Sequence, residues 1–448
     1  MSEMFRSWWQ DRVLKGIVKN SAYLFSSNSA TIVLATIQGI LAARLLGAVD
    51  YGILIATVIP FVTNVHRLLS FRMSEVVVKY LRGYLAEGAE DKAAAIIKGT
   101  ALLESGTSLM SYAILIILAP LASLYFAKDP QTTYLFVIYG LVMLTNCAYE
   151  TSAGVLQTLN RFDRLALANL LQGILTAGII LAAFLGKGGM LAVLLAYLIG
   201  KSFAGLMVMG QAFQQLSRRL GKHWWRSQLK IIPDWHPIMK FAFSTNLSGT
   251  VNLIVRDSET LFITYLRSPL EAGYFRIALS VINLVMLPIE PFIAPTYSEI
   301  TQAISNGHYK LTRQLLKRLS ILSGAWTLTA GCGLALFGWW LIPLIYGAQY
   351  KPAYPAVLIL LVGYGYANIL HWNRPLLLAL GMPTFPLKVS ALVGMVKTAL
   401  TLWLVPVYGY LAEAVILSVY FLTSISINVW QGFRKLHQRA TTTQVGAE

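Results

Sequence analysis

The sequence predicts an all-α polytopic membrane protein with about twelve transmembrane helices in two pseudo-symmetric six-helix lobes. Three observations lead to this prediction. Hydrophobic residues make up 56% of the chain and charged residues 12%, whereas a water-soluble domain carries about 25% charged residues. About twelve apolar runs are long enough to cross a bilayer core, which takes roughly 20 residues per helix. Short segments also recur about 220 residues apart, as in a duplicated half.

The apolar runs are spread along the whole chain. Their approximate centres are Ile37, Thr57, Ile114, Tyr139, Leu175, Ala196, Val251, Leu284, Ala330, Leu361, Val393 and Val419. The most polar stretch, Gln211 to Lys240, separates the sixth run from the seventh. We therefore expect a cytoplasmic N-terminal segment at 1–20, an N-terminal lobe at 21–211, a cytoplasmic inter-lobe linker at 212–237, a C-terminal lobe at 238–432 and a cytoplasmic tail at 433–448.

Three pairs of short segments indicate the duplication. FSSN at Phe25–Asn28 returns as FSTN at Phe243–Asn246, APLASLY around Pro120 returns as IPLIY around Pro343, and GVLQTLNRF at Gly154–Phe162 is followed by PLLLALGMP at Pro375–Pro383. The offset stays close to about 220 residues, which is the pattern of a repeated structural unit. Two equivalent bundles that face each other across a cavity are typical of transporters.

The basic residues lie mainly on one side of the predicted membrane. The formal net charge is +17. With twelve spans and the N-terminus inside, the cytoplasmic segments hold about 26 of the 36 Lys and Arg residues and the outer segments about 5. This asymmetry is the positive-inside bias, which places both termini in the cytoplasm. It also indicates that the surplus charge contacts anionic lipid head groups rather than nucleic acid.

The sequence shows no pattern typical of a catalytic centre, a metal site or a cofactor site, and we expect a protein that is not an enzyme. Cys147 and Cys332 fall inside predicted helices, where thiols usually pack as small apolar groups. The six histidines have no ligand spacing. A phosphate-binding loop of the GxxxxGKS type is also missing from the sequence.

The seventh predicted span holds the densest group of intramembrane polar residues. Asn252, Arg256 and Glu259 are spaced i, i+4 and i+7 and are predicted to share one helix face, with Asp257 beside it. One interpretation is an ion pair that is neutralised within the helix and helps it pack. The other is an anion site in which Arg256 binds the ligand and the carboxylates carry ions or protons. Two carboxylates beside one arginine favour a functional role for Arg256, because packing alone needs fewer charges.

Further charged residues lie within other predicted spans, among them Lys397, Glu150 and Glu290. Lys397 is near the middle of the eleventh span with no acidic residue within helical reach. It either faces a wet cavity, which we favour, or pairs with a residue of another helix. Glu150 and Glu290 lie in the inner halves of the fourth and eighth spans, where each carries a proton or pairs with a nearby basic residue. Three prolines between residues 288 and 295 surround Glu290 and predict a kinked or broken helix.

Several motifs resemble those of one transporter family. They are LLGAVDYG at Leu45–Gly52, GVLQTLNRF at Gly154–Phe162, GYFRIA at Gly273–Ala278 and FGWWLIPLIYGAQYKPAYPAVLIL at Phe337–Leu360. Their order and spacing resemble the bacterial polysaccharide-repeat-unit flippases, the Wzx-like O-antigen and exopolysaccharide branch of the MOP exporter superfamily. The MATE drug exporters and the lipid II flippase are related branches. The resemblance covers nearly the whole chain.

The resemblance implies a MATE/MOP-like fold with alternating access between two lobes, in the bacterial cytoplasmic (inner) membrane. It implies that the substrate is an oligosaccharide repeat unit on an undecaprenyl-diphosphate carrier, turned to the outer leaflet for O-antigen, capsule or exopolysaccharide synthesis. A polymerase or chain-length regulator of the same pathway is the implied protein partner. The implied sites are a diphosphate-binding cavity with Arg256, Lys397 and Asn252, and ion- or proton-coupling residues Asp257, Glu259, Glu290 and Glu150.

The chain also departs from the family pattern, and other functions stay open. Glu259 stands where an aspartate is expected, and the first span carries no charge before Arg44. One alternative is a MATE-type cation-coupled drug exporter, in which we expect an acid-dominated cavity. Another is a membrane polymerase or ligase of polysaccharide assembly, in which we expect a large periplasmic loop. A third alternative is a structural scaffold within a polysaccharide assembly complex, which has little use for Arg256, Asp257 and Lys397 at mid-membrane. Arg256 and Lys397 disfavour the exporter, and the short outer loops disfavour the polymerase.

Overall fold

The computed structural model describes the backbone of residues 12–445 and the side chains of residues 30–439, except at positions 245, 247, 248, 251, 252, 256, 291 and 294. Over this part of the chain the regular structure is helical, without β-strands. The α-helices are α1 Arg12–Tyr51, α2 Ile59–Leu69, α3 Met73–Ala86, α4 Glu90–Ala122, α5 Thr133–Thr145, α6 Tyr149–Thr158, α7 Phe162–Leu185, α8 Met190–Arg219, α9 His236–Arg256, α10 Glu259–Leu266, α11 Pro269–Met286, α12 Ile293–Ser305, α13 Tyr309–Tyr346, α14 Ala353–Ile369, α15 Asn373–Ala379, α16 Thr384–Tyr408 and α17 Tyr410–Val445.

Most of the predicted spans are long apolar helices. Within the described residues, 9 helical stretches are long and apolar enough to cross a membrane. The first of them, Ala30–Leu69, contains two predicted spans, because a π-helical segment, Gly52–Val58, joins α1 directly to α2. The two predicted centres outside these stretches fall on α9 and α11, which have 21 and 18 residues. The prediction of an all-α membrane protein with about twelve spans is confirmed.

The chain divides into two compact units. Unit 1 consists of the described residues up to Leu46 together with Val58–Thr250, and unit 2 of Gly47–Thr57 together with the described residues from Val251 onward. The core of unit 1 includes Val76 and Val77 of α3, which are fully buried. The lobe boundaries expected from the sequence stay a prediction.

Both units repeat the same irregularities of the helices. The long helices α4 and α13 each contain a proline in their last turn, Pro120 and Pro343. The helix that follows is interrupted in both units, between α5 and α6 and between α14 and α15. After α6 and α15 the backbone passes through positive φ, at Asn160 with 55° and at Gly381 with 75°. Such φ values are uncommon outside turns, so their recurrence confirms the pseudo-symmetric lobes.

Parts of three sequence motifs pack together within unit 2. A Cβ on Gly52 would overlap the backbone at the start of α11, and a Cβ on Gly273 would lie 2.9 Å from the carbonyl oxygen of Ala48. The rings of Tyr51 and Tyr350 meet edge to face, with centroids 5.9 Å apart. Burial raises the pKa of the Tyr350 phenol, so the contact stays uncharged. The glycines of the motifs therefore allow backbones to approach closely, and the tyrosines fill the space beside them.

Candidate functional site

The seventh predicted span is interrupted in the structure. Because α9 ends at Arg256 and α10 begins at Glu259, the expectation that Asn252, Arg256 and Glu259 share the face of one continuous helix is corrected. The Ser258 hydroxyl donates a hydrogen bond to a backbone carbonyl one turn earlier, at 2.9 Å, and so competes with the helical ladder. Asp257 is exposed at the interruption. The side chains of Asn252 and Arg256 lie outside the described residues.

Lys397 lies in a buried ion triad with two glutamates from other helices. Its Nζ is 3.2 Å from Oε1 of Glu259 and 3.0 Å from Oε1 of Glu413, and the three side chains are 2%, 5% and 0% exposed. The contact with Glu413 is an ion pair by distance rather than an aligned hydrogen bond. The ammonium also donates to the carbonyl oxygen of Val255 at 3.1 Å. The structure therefore supports the interpretation in which Lys397 pairs with residues of other helices, and not the one in which Lys397 faces an open cavity.

The triad contains more acid than base. Its net charge is −1 when all three groups are ionised, and one added proton makes it neutral. Isolated charges at such depth are strongly destabilising, so these groups depend on one another. The Thr401 hydroxyl donates to Oε2 of Glu413 at 2.7 Å, which satisfies the second oxygen of that carboxylate. A buried site that alternates between two charge states by taking up one proton or cation has the chemistry needed for ion coupling.

Close helix packing brings the lysine to its partners. Gly394 lies one turn before Lys397, and a Cβ at position 394 would meet the Val255 side chain. Glu413 lies in the first turn of α17. Sequence reasoning missed Glu413. The signal was present, because a glutamate inside the apolar run YLAEAVILSVY is itself an indication of a functional or paired charge.

Glu290 lines a separate polar cavity of about 340 Å³ in unit 2, called here the unit-2 cavity. The prolines around Glu290 break the helix as predicted, since α11 ends at Met286 and α12 begins at Ile293. The other polar residues that line the unit-2 cavity are Asn368, His371, Asn373, Arg374, Ser390, Tyr420, Ser424 and Asn428. Amide, hydroxyl, imidazole and guanidinium groups and one carboxylate therefore lie among apolar side chains such as Met286 and Ile293 in this lining.

Glu150 lines a cavity of about 280 Å³ in unit 1, called here the unit-1 cavity. Both carboxylate oxygens of Glu104 accept backbone N–H groups at the start of α6, from Glu150 and Thr151, at 2.8 Å each. Glu104 therefore caps that helix. The Ser74 hydroxyl donates to the Glu150 carboxylate. The lining also contains the basic and amide side chains of His66, Asn146, Gln172 and Lys201.

The two cavities occupy corresponding places in the duplicated units. Asn146 lines the unit-1 cavity beside the break between α5 and α6, and Asn368 lines the unit-2 cavity beside the break between α14 and α15. The structure therefore brings Glu259 and Lys397 together but distributes Glu150 and Glu290 over separate cavities. In the described part of the chain, His, Cys, Asp and Glu side chains form no group of three or more that could hold a metal ion.

Comparison with known proteins identifies the family. A family model described as "Polysaccharide biosynthesis protein" matches residues 40–355 of this chain. The inner membrane protein YghQ of Escherichia coli (strain K12) is 22% identical over 359 residues, which covers 79% of this chain and 98% of YghQ.

Two solved structures share the fold over nearly the whole chain. The lipid II flippase MurJ, in an inward closed conformation, is 16% identical with a TM-score of 0.71, over 94% of this chain and 91% of that chain. A multidrug resistance MATE family transporter of the MOP superfamily, in an inward-facing conformation, is 13% identical with a TM-score of 0.70, over 92% of this chain and 96% of that chain. The predicted MATE/MOP-like fold is thus confirmed. Because the family model also spans well over half of the sequence, the chain belongs to the polysaccharide biosynthesis protein family and carries the fold of the MOP superfamily.

Proposed function

We propose that this protein is a flippase that moves undecaprenyl-diphosphate-linked oligosaccharide repeat units from the cytoplasmic to the outer leaflet of the bacterial cytoplasmic membrane. Movement occurs by alternating access and supplies O-antigen, capsule or exopolysaccharide synthesis. The observation that carries the proposal is the family match over residues 40–355 on a fold shared with a lipid II flippase. The family match and the likeness to a lipid II flippase together favour a substrate that is both a saccharide and a lipid.

The buried triad is the proposed coupling site. One carboxylate of the pair Glu259 and Glu413 takes up a proton or releases it, and the net charge around Lys397 changes by one. Protonation weakens the hold of the carboxylates on the ammonium, which frees Lys397 to meet a diphosphate. The support for this sequence of events is the geometry of the triad, in which one ammonium lies between two carboxylates at 3.0 and 3.2 Å.

The other site residues predicted from the sequence are proposed to act outside the triad. Arg256 and Asn252 near the end of α9 are proposed to bind the diphosphate, since a guanidinium offers two parallel donors to phosphate oxygens. Asp257 beside them is a proposed ion-coupling carboxylate. Glu150 and Glu290 are proposed to take up protons within the cavity of their own unit.

The proposed setting follows from the charge distribution and the substrate. Both termini are proposed to lie in the cytoplasm, as the positive-inside bias predicts. The partners are membrane lipids and the lipid-linked oligosaccharide, together with a polymerase or chain-length regulator of the same pathway. The lipid tail stays in the bilayer while the sugar passes through a hydrated path.

Deletion of the gene in the native host tests the proposal. We expect lipid-linked repeat units to accumulate in the cytoplasmic leaflet and surface polysaccharide to fall, with recovery on expression of the native protein. Glu259→Gln should restore less export than the native protein, because the triad with one carboxylate fewer no longer alternates between net charges of −1 and 0. Glu299→Gln is the matched control, since Glu299 is exposed on α12.

Other results would point to other functions. Accumulation of repeat units in the outer leaflet would indicate a polymerase or ligase. A change in drug sensitivity without any change in repeat units would indicate a MATE-type exporter. Normal surface polysaccharide after deletion would contradict the proposal.

A further inference from the structure

A groove of about 590 Å³ lies beside the start of α13 in unit 2 and shares no lining residue with the unit-2 cavity. Lys310, Arg313 and Lys317 line it, and it is called here the basic groove. These three residues are exposed and are spaced i, i+3 and i+7, which places them on one face of α13. The lining contains no carboxylate, and none of the three cations forms an ion pair with another residue that the structure describes. The basic groove therefore carries positive charge that the described chain does not neutralise.

The length of α13 places the basic groove at one surface of the membrane. With 38 residues the helix is about 57 Å long, whereas a hydrocarbon core is roughly 30 Å thick. All of its basic residues lie in the first three turns, between Lys310 and Arg318, and the rest of the helix is free of charged residues. The apolar part thus crosses the core while the basic turns extend beyond it. The positive-inside bias predicts that this end of α13 is cytoplasmic.

Apolar and aromatic side chains also line the basic groove. The indole N–H of Trp372 donates to the Ser320 hydroxyl at 2.8 Å. The Trp372 ring meets the ring of Phe433 edge to face, with centroids 5.7 Å apart, and the Arg313 guanidinium lies 5.8 Å from the centroid of Phe433. These contacts join α13 to the residue before α15 and to α17. Packed aromatic rings beside exposed cations suit a ligand that has both an anionic and an apolar part.

Exposed apolar side chains continue the same face of α13 along the helix. Ile321 and Leu328 follow Lys317 at i+4 and i+11, and they are 61% and 65% exposed. The cations are therefore at the level of lipid head groups, and the apolar side chains are at the level of the acyl chains. A soluble anion would contact only the cations, whereas a phospholipid matches both parts of this face.

We propose that the basic groove is a binding site for an anionic phospholipid, with its phosphate held by Lys310, Arg313 and Lys317 and an acyl chain along Ile321 and Leu328. A zwitterionic lipid is disfavoured, because its own cation would meet three others in a lining without a carboxylate. The inference goes beyond the proposed function, since it depends on charge and position in the bilayer and not on what the protein transports. A lipid bound only by the folded protein would also stabilise it.

Two charge-reversal variants of the full-length protein test the site. Lys317→Glu places a carboxylate in the basic groove. Arg318→Glu is the matched control, because it changes the net charge equally at the adjacent residue, which is exposed but does not line the groove. Each protein in uncharged detergent is titrated with phosphatidylglycerol, and the rise of the thermal midpoint gives the dissociation constant. We expect Lys317→Glu to raise this constant at least about tenfold and Arg318→Glu to raise it less than about threefold.

A second variant and two comparison ligands keep the test decisive. Lys310→Glu reverses a different charge of the groove and should also weaken binding at least about tenfold if Lys317→Glu folds poorly. Phosphatidylcholine, which has no net charge, and glycerol 1-phosphate, which has no acyl chain, should each bind much more weakly than phosphatidylglycerol. Salt at about 1 M should weaken phosphatidylglycerol binding, because it screens exposed charges.

Each other result would overturn the site. Equal weakening by Lys317→Glu and Arg318→Glu would indicate a diffuse attraction of the basic surface for anionic lipids. Equal binding of phosphatidylcholine would remove the role of charge, and equal binding of glycerol 1-phosphate would indicate a site for soluble phosphates. Unchanged affinity in folded Lys317→Glu and Lys310→Glu would exclude the groove as the binding site. Because transport is not measured, these results do not depend on whether the proposed function holds.

Discussion

At the scale of single residues, the proposed ion coupling depends on Lys397 and its two carboxylates. The sequence identified Lys397 and Glu259 as unusual, because charged groups are rare inside apolar spans. It did not reveal their partnership, since Lys397 and Glu259 are separated by 138 positions and meet only when α16 packs near the start of α10. Side-chain pairing across helices depends on how the helices pack. Residue spacing within one helix does not predict it.

Lys397→Met tests the structural part of the triad. The substitution leaves two buried carboxylates without a cation, and breaking a buried pair in this way typically costs about 3–5 kcal/mol. We therefore expect a lower thermal midpoint in detergent, partly restored when Glu413→Gln is added. Lys388→Met is the control, because Lys388 is exposed on the same helix. A midpoint equal to that of the native protein would show that the ion pair does not stabilise the fold.

Glu413→Gln tests the coupling part of the triad. The remaining pair of Glu259 and Lys397 is neutral, and the amide oxygen still accepts the Thr401 hydroxyl that Glu413 accepts now. That orientation turns the amide NH2 toward the Lys397 ammonium in place of Oε1, so we expect a somewhat lower thermal midpoint, and transport that loses its response to an imposed proton gradient. Transport measured with and without the gradient decides the question. An undiminished response would place coupling elsewhere, for example at Glu150 or Glu290.

At the scale of helices and their contacts, glycines decide how closely the elements of unit 2 approach. Gly52 and Gly273 bring the π-helical segment and α11 together, and Gly394 brings α16 against Val255. The motifs that carry the family resemblance thus also allow helices to pack closely, because their glycines lie against backbone atoms. The proline-rich break at Glu290 was predictable, because proline removes a helix donor. The break at Asp257 and Ser258 was not, because serine and aspartate are tolerated within helices and interrupt them only when a local hydrogen bond competes.

Gly52→Ala tests this packing. The added Cβ would overlap the carbonyl oxygen of Pro269, a backbone atom that cannot rotate away. Overpacking of this kind costs about 1–3 kcal/mol, so we expect a clearly lower thermal midpoint. Gly106→Ala is the matched control, since a Cβ there has no neighbour within 4 Å among the described atoms. Equal midpoints for the two variants would mean that the contact between Gly52 and Pro269 is loose.

At the scale of the whole molecule, the two units were the most predictable feature. Long apolar runs and repeated landmarks follow directly from the bilayer and from duplication, so they are visible in one sequence. The cavities were not predictable, because their linings combine residues from several helices of one unit. Asn146 and Asn368 line them at corresponding helix breaks.

Reporter fusions test the orientation that the positive-inside bias predicts. A green fluorescent protein fused after residue 448 should fluoresce, and alkaline phosphatase at the same place should be inactive. Fusions after Lys187 or Lys351, in predicted outer loops, should show the opposite behaviour. An active phosphatase at the C-terminus would contradict the cytoplasmic placement of the tail.

Translocation of a fluorescent undecaprenyl-diphosphate-oligosaccharide in proteoliposomes tests the central claim most directly. The native protein should move the lipid between leaflets, and Arg256→Ala should reduce the rate at least about tenfold if the guanidinium binds the diphosphate. Movement by both proteins at equal rates would keep the flippase and remove Arg256 from the path. Absence of movement by folded native protein would contradict the account.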